Sequence, residues 1–233
     1  MDNRMDRSQF CRWTITLTTA LLMVTLCATR ANADSIHTTL ASFTTAVGVT
    51  PSFQSFEGLT PSNSFNTNLI SVPGFTVGTG TSNFLGVHDV NVLSSFATDG
   101  TNYVRWVAAS GGGTVTFTFA QPIIAFSVTL TDALDGGSNP VMNLTTNGGS
   151  SFPGVITGLR PNGQIVFLGL VATNPFTTLT LTNLNSVNDG IGLDEVRWVQ
   201  FVPPTSPVPE PSSMLLLGTG AIGLFLRRRR QAL

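Results

Sequence analysis

The 233-residue sequence has no lysine, and it carries only two cysteines, two histidines and one tyrosine, with 10% charged residues. Each scarcity removes a class of chemistry. Without lysine there is no Schiff base and no phosphate-binding loop, so Gly111-Gly112-Gly113-Thr114 reads as a turn. Cys11 and Cys27 both precede residue 34 and belong to a stretch patterned as a removable leader. A mature chain beginning at Asp34 then has no thiol, which excludes disulfides, thiolate catalysis and cysteine-ligated metals. Arginines are also scarce where they would matter. Of eleven, Arg4, Arg7, Arg12 and Arg30 lie in the leader and four more lie at 227–230, leaving Arg105, Arg160 and Arg197 for the body. Ten acidic residues between Asp34 and Pro211 oppose those three, a balance near −7. Such a surface is a poor partner for nucleic acid or anionic lipid. With so few charges, threonine, serine and asparagine must keep the chain in water.

Residues 1–12 are polar with three arginines, and 13–28 are apolar and threonine-rich. Ala31-Asn32-Ala33 then offers small residues at the two positions a signal peptidase reads, so 1–33 is expected to be a signal peptide cut before Asp34. A lipoprotein signal at Cys27 is disfavoured by Leu26 before it.

At the other end stand Pro209-Glu210-Pro211, an uncharged apolar run at 212–226, and Arg227, Arg228, Arg229 and Arg230. As a helix, 15 residues reach only about 22 Å, short of the roughly 30 Å hydrocarbon core. The four arginines place the C-terminus in the cytoplasm and the body outside. The prolines keep the entry segment extended. This tail, 208–233, resembles the PEP-CTERM sorting signal of bacteria that make exopolysaccharide. The resemblance implies recognition of Pro209, Glu210 and Pro211 by a membrane exosortase that removes the apolar tail. It implies an inner-membrane intermediate, with the cell surface or extracellular matrix as destination.

The intervening 34–202 is one domain's length, and 203–207 is a proline-rich linker. A short helix is expected over 37–47, where Leu40, Phe43, Ala46 and Val47 share a face. Beyond it, period two dominates. Val115, Phe117 and Phe119 alternate with threonines; so do Leu179 and Leu181. Ile124, Phe126, Val128 and Leu130 alternate with Ala125, Ser127, Thr129 and Thr131, which predicts strands with a polar face in water. Residues 165–171 are almost continuously apolar and suit a strand covered on both sides. Weaker strands are expected over 53–56, 75–79, 103–108, 141–145 and 196–201, with glycine-, asparagine- and proline-rich turns between. The sum is an all-β, antiparallel, jelly-roll-like β-sandwich, with a barrel as the alternative, between an N-terminal signal helix and a short C-terminal transmembrane helix at 212–226.

Phe56-Glu57-Gly58 early and Asp189-Gly190-Ile191-Gly192-Leu193-Asp194-Glu195 late resemble motifs of other PEP-CTERM passenger domains, and similar pairs in extracellular adhesion and carbohydrate-binding sandwiches hold structural calcium. The resemblance makes Glu57, Asp189, Asp194 and Glu195 candidate calcium ligands, with oxygens suited to a hard cation. The opposing interpretation is a glycine-rich turn with a capping aspartate. No cofactor is required. Tyr103, Trp106 and Trp198 are candidates for a sugar-stacking platform, or else core. His88-Asp89 with Ser94 and Ser95 has the residue types of a hydrolase triad, but no spacing assembles them, and an enzyme is not expected. The sequence thus describes an exported surface or matrix protein, structural or adhesive within exopolysaccharide or biofilm. Its partners would be signal peptidase and exosortase during export and polysaccharide afterwards. A carbohydrate-binding module is the first alternative and a secreted hydrolase the second.

Overall fold

The computed structural model describes residues 33–203, apart from 66, 81–82, 109–111, 138–139 and 185–187. The leader with Ala31, the linker from 204, Pro209, Glu210, Pro211, the apolar run 212–226 and Arg227 to Arg230 lie outside the described residues. Among the described residues no helix is long and apolar enough to cross a membrane. The chain divides after Phe201.

The described elements run β1 (Ser35–His37), α1 (Leu40–Val47), β2 (Ser52–Gln54), β3 (Leu69–Val72), β4 (Phe75–Thr79), β5 (Phe84–His88), β6 (Tyr103–Ala108), β7 (Gly113–Thr131), β8 (Val141–Thr146), β9 (Ser151–Thr157), β10 (Ile165–Asn183) and β11 (Asp189–Gln200). The helix begins later than the expected 37–47. Thr39 is extended at φ −139° and its hydroxyl accepts the Ser42 N–H at 3.2 Å, which caps the helix there. His37 instead pairs with Gly169 in β1. Gly48, at φ 68°, closes the other end with its N–H on the Thr44 carbonyl.

All strand pairs are antiparallel, and β7 and β10, 19 residues each, run through both layers of the sandwich. Their first and second halves pair with different neighbours. Residues 113–119 of β7 lie between β4 and residues 178–183 of β10, which continue through β8 to β9. Residues 123–131 lie between β11 and residues 165–171 of β10; β6 and β5 extend this layer on one side and β1 on the other. The change of layer falls where Ala120, Gln121 and Pro122 are exposed and where the β10 register shifts between Val171 and Phe176. Proline at each crossing, Pro122 and Pro175, suits a place where ladder hydrogen bonding is interrupted. Between the layers the core is aromatic: Phe75 meets Trp198 edge-on at 5.3 Å, and Phe117 meets Phe126 at 4.9 Å.

The expected strands over 75–79 and 103–108 have these bounds. Val115, Phe117, Phe119, Leu179 and Leu181 point inward, and the Thr116 and Thr180 hydroxyls bond across the outer face at 3.0 Å. Three expectations need correction. Ser127, Thr129 and Thr131 do not face water; all three are buried, and the segment 89–102 crosses over Thr129 and Thr131, with Phe96 bonded to Thr131 and Thr98 meeting Thr129 through Glu195. Asp189-Gly190-Ile191-Gly192-Leu193-Asp194 is not a turn before the last strand but its first half. Strands β1, β3, β5 and β9 were not expected, being short or poor in alternation.

Candidate functional site

The crossing segment 89–102 is what organises the acidic residues. The Thr98 and Asp99 N–H groups donate to Asp194 Oδ2 at 2.7 and 3.0 Å, and the Thr98 hydroxyl contacts both Asp194 and Glu195. Phe96 N–H donates to Thr131 Oγ1, which in turn donates to the Phe96 carbonyl. Both carboxylates reach the segment because β11 bulges between Asp194 and Arg197, with Glu195 at φ 50°. Asp194 is fully buried, and desolvation pushes its carboxyl up to about 6 despite its amide donors. Burial also pushes Glu195 up, but hydrogen bonds from Arg197, Thr129 and Thr98 outweigh it and its pKa is lowered. Glu57 accepts Asn102 N–H at 2.6 Å and Thr101 N–H at 2.8 Å, and these donors, that of Asn102 first, hold it below the usual range.

These contacts bear on the calcium ligands proposed at Glu57, Asp189, Asp194 and Glu195. Among the described residues no three His, Cys, Asp or Glu side chains gather as a metal site. Amide and hydroxyl donors face Glu57 and Asp194, and hydroxyls and the Arg197 guanidinium face Glu195, so these three residues tie the crossing segment to β11 and to the turn after β2. Gly190 and Gly192 supply room rather than loop latitude. A β-carbon at Gly190 would fall on the Arg105 guanidinium, and one at Gly192 on the Thr131 hydroxyl.

The aromatic platform is not at the surface. Trp106 is fully buried, Tyr103 and Trp198 nearly so, and none offers a free face. Tyr103 Oη lies 3.0 and 2.9 Å from the carbonyls of Val90 and Ser95. The hydrolase types do not assemble either. His88 is buried beside Phe65 and Tyr103 with neither ring nitrogen bonded, Asp89 pairs with Asn63, and the Ser95 hydroxyl donates to the Gly190 carbonyl. The two Arg-Trp-Val tripeptides have parallel roles: each tryptophan enters the core, while Arg105 stacks on Phe65 at 5.1 Å and Arg197 on Phe53 at 4.7 Å.

An open cleft of about 330 Å³ lies beside the crossing segment 89–102, which contributes Leu93 to its lining. Its floor is one cross-strand row, Phe84 opposite Val107 and Val107 opposite Gly190, on β5, β6 and β11. Phe84 is 47% exposed, and Phe65 and Leu93 add apolar wall. The other wall is polar: Asp132, Asp135, Asn188 and Asp189, with the Arg105 guanidinium over Gly190. After β7 the chain turns through left-handed conformations at Asp132 (φ 61°) and Leu134 (φ 64°), which carries Asp132 and Asp135 to the cleft. Asp189 Oδ2 accepts Leu134 N–H at 3.0 Å and Asn183 Nδ2 at 2.9 Å, whereas its Oδ1 is buried without a partner. Burial first, and the neighbouring Asp135 carboxyl after it, raise Asp189 to about 6. Burial raises Asp132 as well. Of this site only Asp189 was a sequence candidate. Asp135 opens a glycine-rich turn and Phe84 sits in a five-residue strand, and neither pattern separates a ligand contact from ordinary surface.

One protein-family model, the PEP-CTERM protein-sorting motif, matches residues 207–230. The chain carries a PEP-CTERM sorting motif. This motif implies export and processing by an exosortase. No curated protein matches the chain. Similar solved structures include the CBM22-1 xylan-binding domain from Paenibacillus barcinonensis Xyn10C (12% identity, 64% of this chain and 94% of that one, TM-score 0.39). A second is TmCBM61 in complex with β-1,4-galactotriose (13% identity, 58% and 100%, TM-score 0.37). A third is the K2 adhesin domain of Lys-gingipain (13% identity, 65% and 98%, TM-score 0.39). Likeness at this level says nothing of what the PEP-CTERM passenger binds.

Proposed function

We propose that this PEP-CTERM protein is an exported adhesive domain that holds extracellular polysaccharide in the cleft on its outer sheet layer, and that it binds rather than cleaves. The observation that carries the proposal is the pair Phe84–Val107, an exposed ring and an apolar neighbour in an open cleft, beside carboxylate and amide side chains and the Arg105 guanidinium that lies over Gly190. A sugar ring presents apolar C–H faces and polar edges at once, so it suits a floor of this kind with a polar wall. Openness also matters, because a polymer must enter and leave along its length. A sorting signal that directs the domain to a polysaccharide-rich exterior provides the encounter. Catalysis has less support: the one buried histidine near serines is bonded to neither a serine nor an aspartate.

A glycan array probed with the purified full-length chain tests this reading. Saturable binding weakened about tenfold or more by Phe84→Ala is expected, as for loss of an aromatic anchor. Trp106→Ala is the wrong probe, since it would act by unfolding. A blank array, or binding indifferent to Phe84→Ala, removes the cleft as a glycan site.

A further inference from the structure

Three carboxylates, Asp132, Asp135 and Asp189, face a single guanidinium, Arg105, in the cleft. Arg105 is already committed, with Nε on Ser95 Oγ at 3.2 Å and its plane over Phe65. Asp189 is 2% exposed, and its Oδ1 has no donor although Oδ2 has two. Asp135, half-exposed, lines the same cleft as Asp189. Two carboxylates that share a cleft favour something positive between or above them, either a proton or a cation. The rest of the body adds no relief, since ten acidic residues outweigh three arginines and no lysine is present. Such a field repels uronate, sulfate and phosphate sugars and attracts ammonium.

Resting on the reading of the cleft as a glycan site, we propose that its ligand is a cationic amino sugar, a hexosamine unit with a free amine, whose ammonium group lies against Asp135 above the buried Asp132 and Asp189 and whose ring face lies on Phe84. An ammonium donates three hydrogen bonds and accepts none, which matches the carboxylates of the wall. An N-acetyl group in its place removes the charge and puts an amide carbonyl against carboxylates. The apolar floor accounts for the ring, and the polar wall for the substituent that distinguishes one sugar from another.

Isothermal titration of the purified full-length chain with glucosamine hexamer, N-acetylglucosamine hexamer, xylohexaose and an oligogalacturonate separates the outcomes. The glucosamine oligomer is expected to bind at least about tenfold tighter than the N-acetylated one, with affinity falling as salt rises, and the oligogalacturonate not at all. Asp135→Asn should remove that preference, and Asp135→Ser serves as a second variant, each verified as folded by its melting transition. Asp99→Asn, an exposed charge outside the cleft, should leave it intact. If Asp99→Asn weakens binding as much as Asp135→Asn, the attraction is diffuse and the proposal falls. Equal or tighter binding of a neutral or acidic oligomer overturns the amino-sugar assignment while leaving the glycan reading standing. If no oligosaccharide binds, both fall.

Discussion

The Arg105 guanidinium occupies the space that a β-carbon on Gly190 would fill. The two residues sit on adjacent strands, with Arg105 opposite Gly192 and Val107 opposite Gly190, so the long side chain crosses one ladder position to lie over the glycine. Glycine in this strand is therefore a packing requirement of its neighbour.

Gly190→Ala is expected to displace Arg105 and destabilise the domain by roughly 1–3 kcal/mol, the usual range for overpacking. Gly58→Ala, at a position with open space around it, should change stability by less than about 0.5 kcal/mol. Urea unfolding midpoints of the two variants check the contrast. Equal effects would show that the guanidinium moves aside without cost.

Asp189→Asn should stabilise the protein at neutral pH, by on the order of 1 kcal/mol. The asparagine oxygen would accept from Leu134 and Asn183 as Oδ2 does now, and its amide would donate to Asp135. In the parent, a carboxyl raised to about 6 favours the folded state when protonated, so its contribution is complete below about 3.8 and is lost as pH rises to about 6. The gain in melting temperature should accordingly be large at pH 7 and small near pH 4. A gain independent of pH would contradict the assignment.

His88 works in the opposite sense. Burial first, and Arg105 second, lower its pKa below the ordinary 6.5, with Asp89 only partly opposing. A base with a depressed folded pKa contributes stability above its unfolded value and loses it as pH falls through the folded one. His88→Phe should flatten the decline in melting temperature below pH 6.5 while keeping the ring contacts with Phe65 and Tyr103. An unchanged slope would place the acid sensitivity elsewhere.

The crossing segment should loosen before the sandwich does. Asp194→Ala leaves the Thr98 and Asp99 amides without an acceptor and should cost about 2–4 kcal/mol, against about 1 kcal/mol for Thr98→Ala, which removes only a hydroxyl. Hydrogen exchange at the amides of residues 98–102 should accelerate in Asp194→Ala more than at β7. Uniform acceleration would mean that segment and sheet open together.

Export has its own test. Mass spectrometry of the protein recovered from the cell exterior should find a chain starting at Asp34 and ending near Pro211. Intact peptides containing Arg227 to Arg230 at the surface would mean that the tail is retained.

The sorting motif and the fold class are legible in the residues alone. The sorting tail is contiguous, so its order of proline, apolar run and arginines is its whole content. The sandwich strands are legible because period two is a local property: Val115, Phe117 and Phe119 declare their inner face with no knowledge of what covers it. What local pattern does not contain is which outer face stays wet. Thr129 and Thr131 read as solvent-facing, and only the segment at 89–102, folding across from a different part of the chain, buries them. The same is true of the site. Phe84, Val107 and Gly190 become one floor through strand pairing between distant segments, and Asp135 meets Asp189 only because two left-handed residues after β7 turn it back. Trp106 and Trp198, the conspicuous aromatics, went to the core, where burying the largest apolar surface stabilises most. The exposed ring of the cleft fell to Phe84, at a short strand near the edge of its layer, a choice made by tertiary pairing and by nothing in the residues on either side of it.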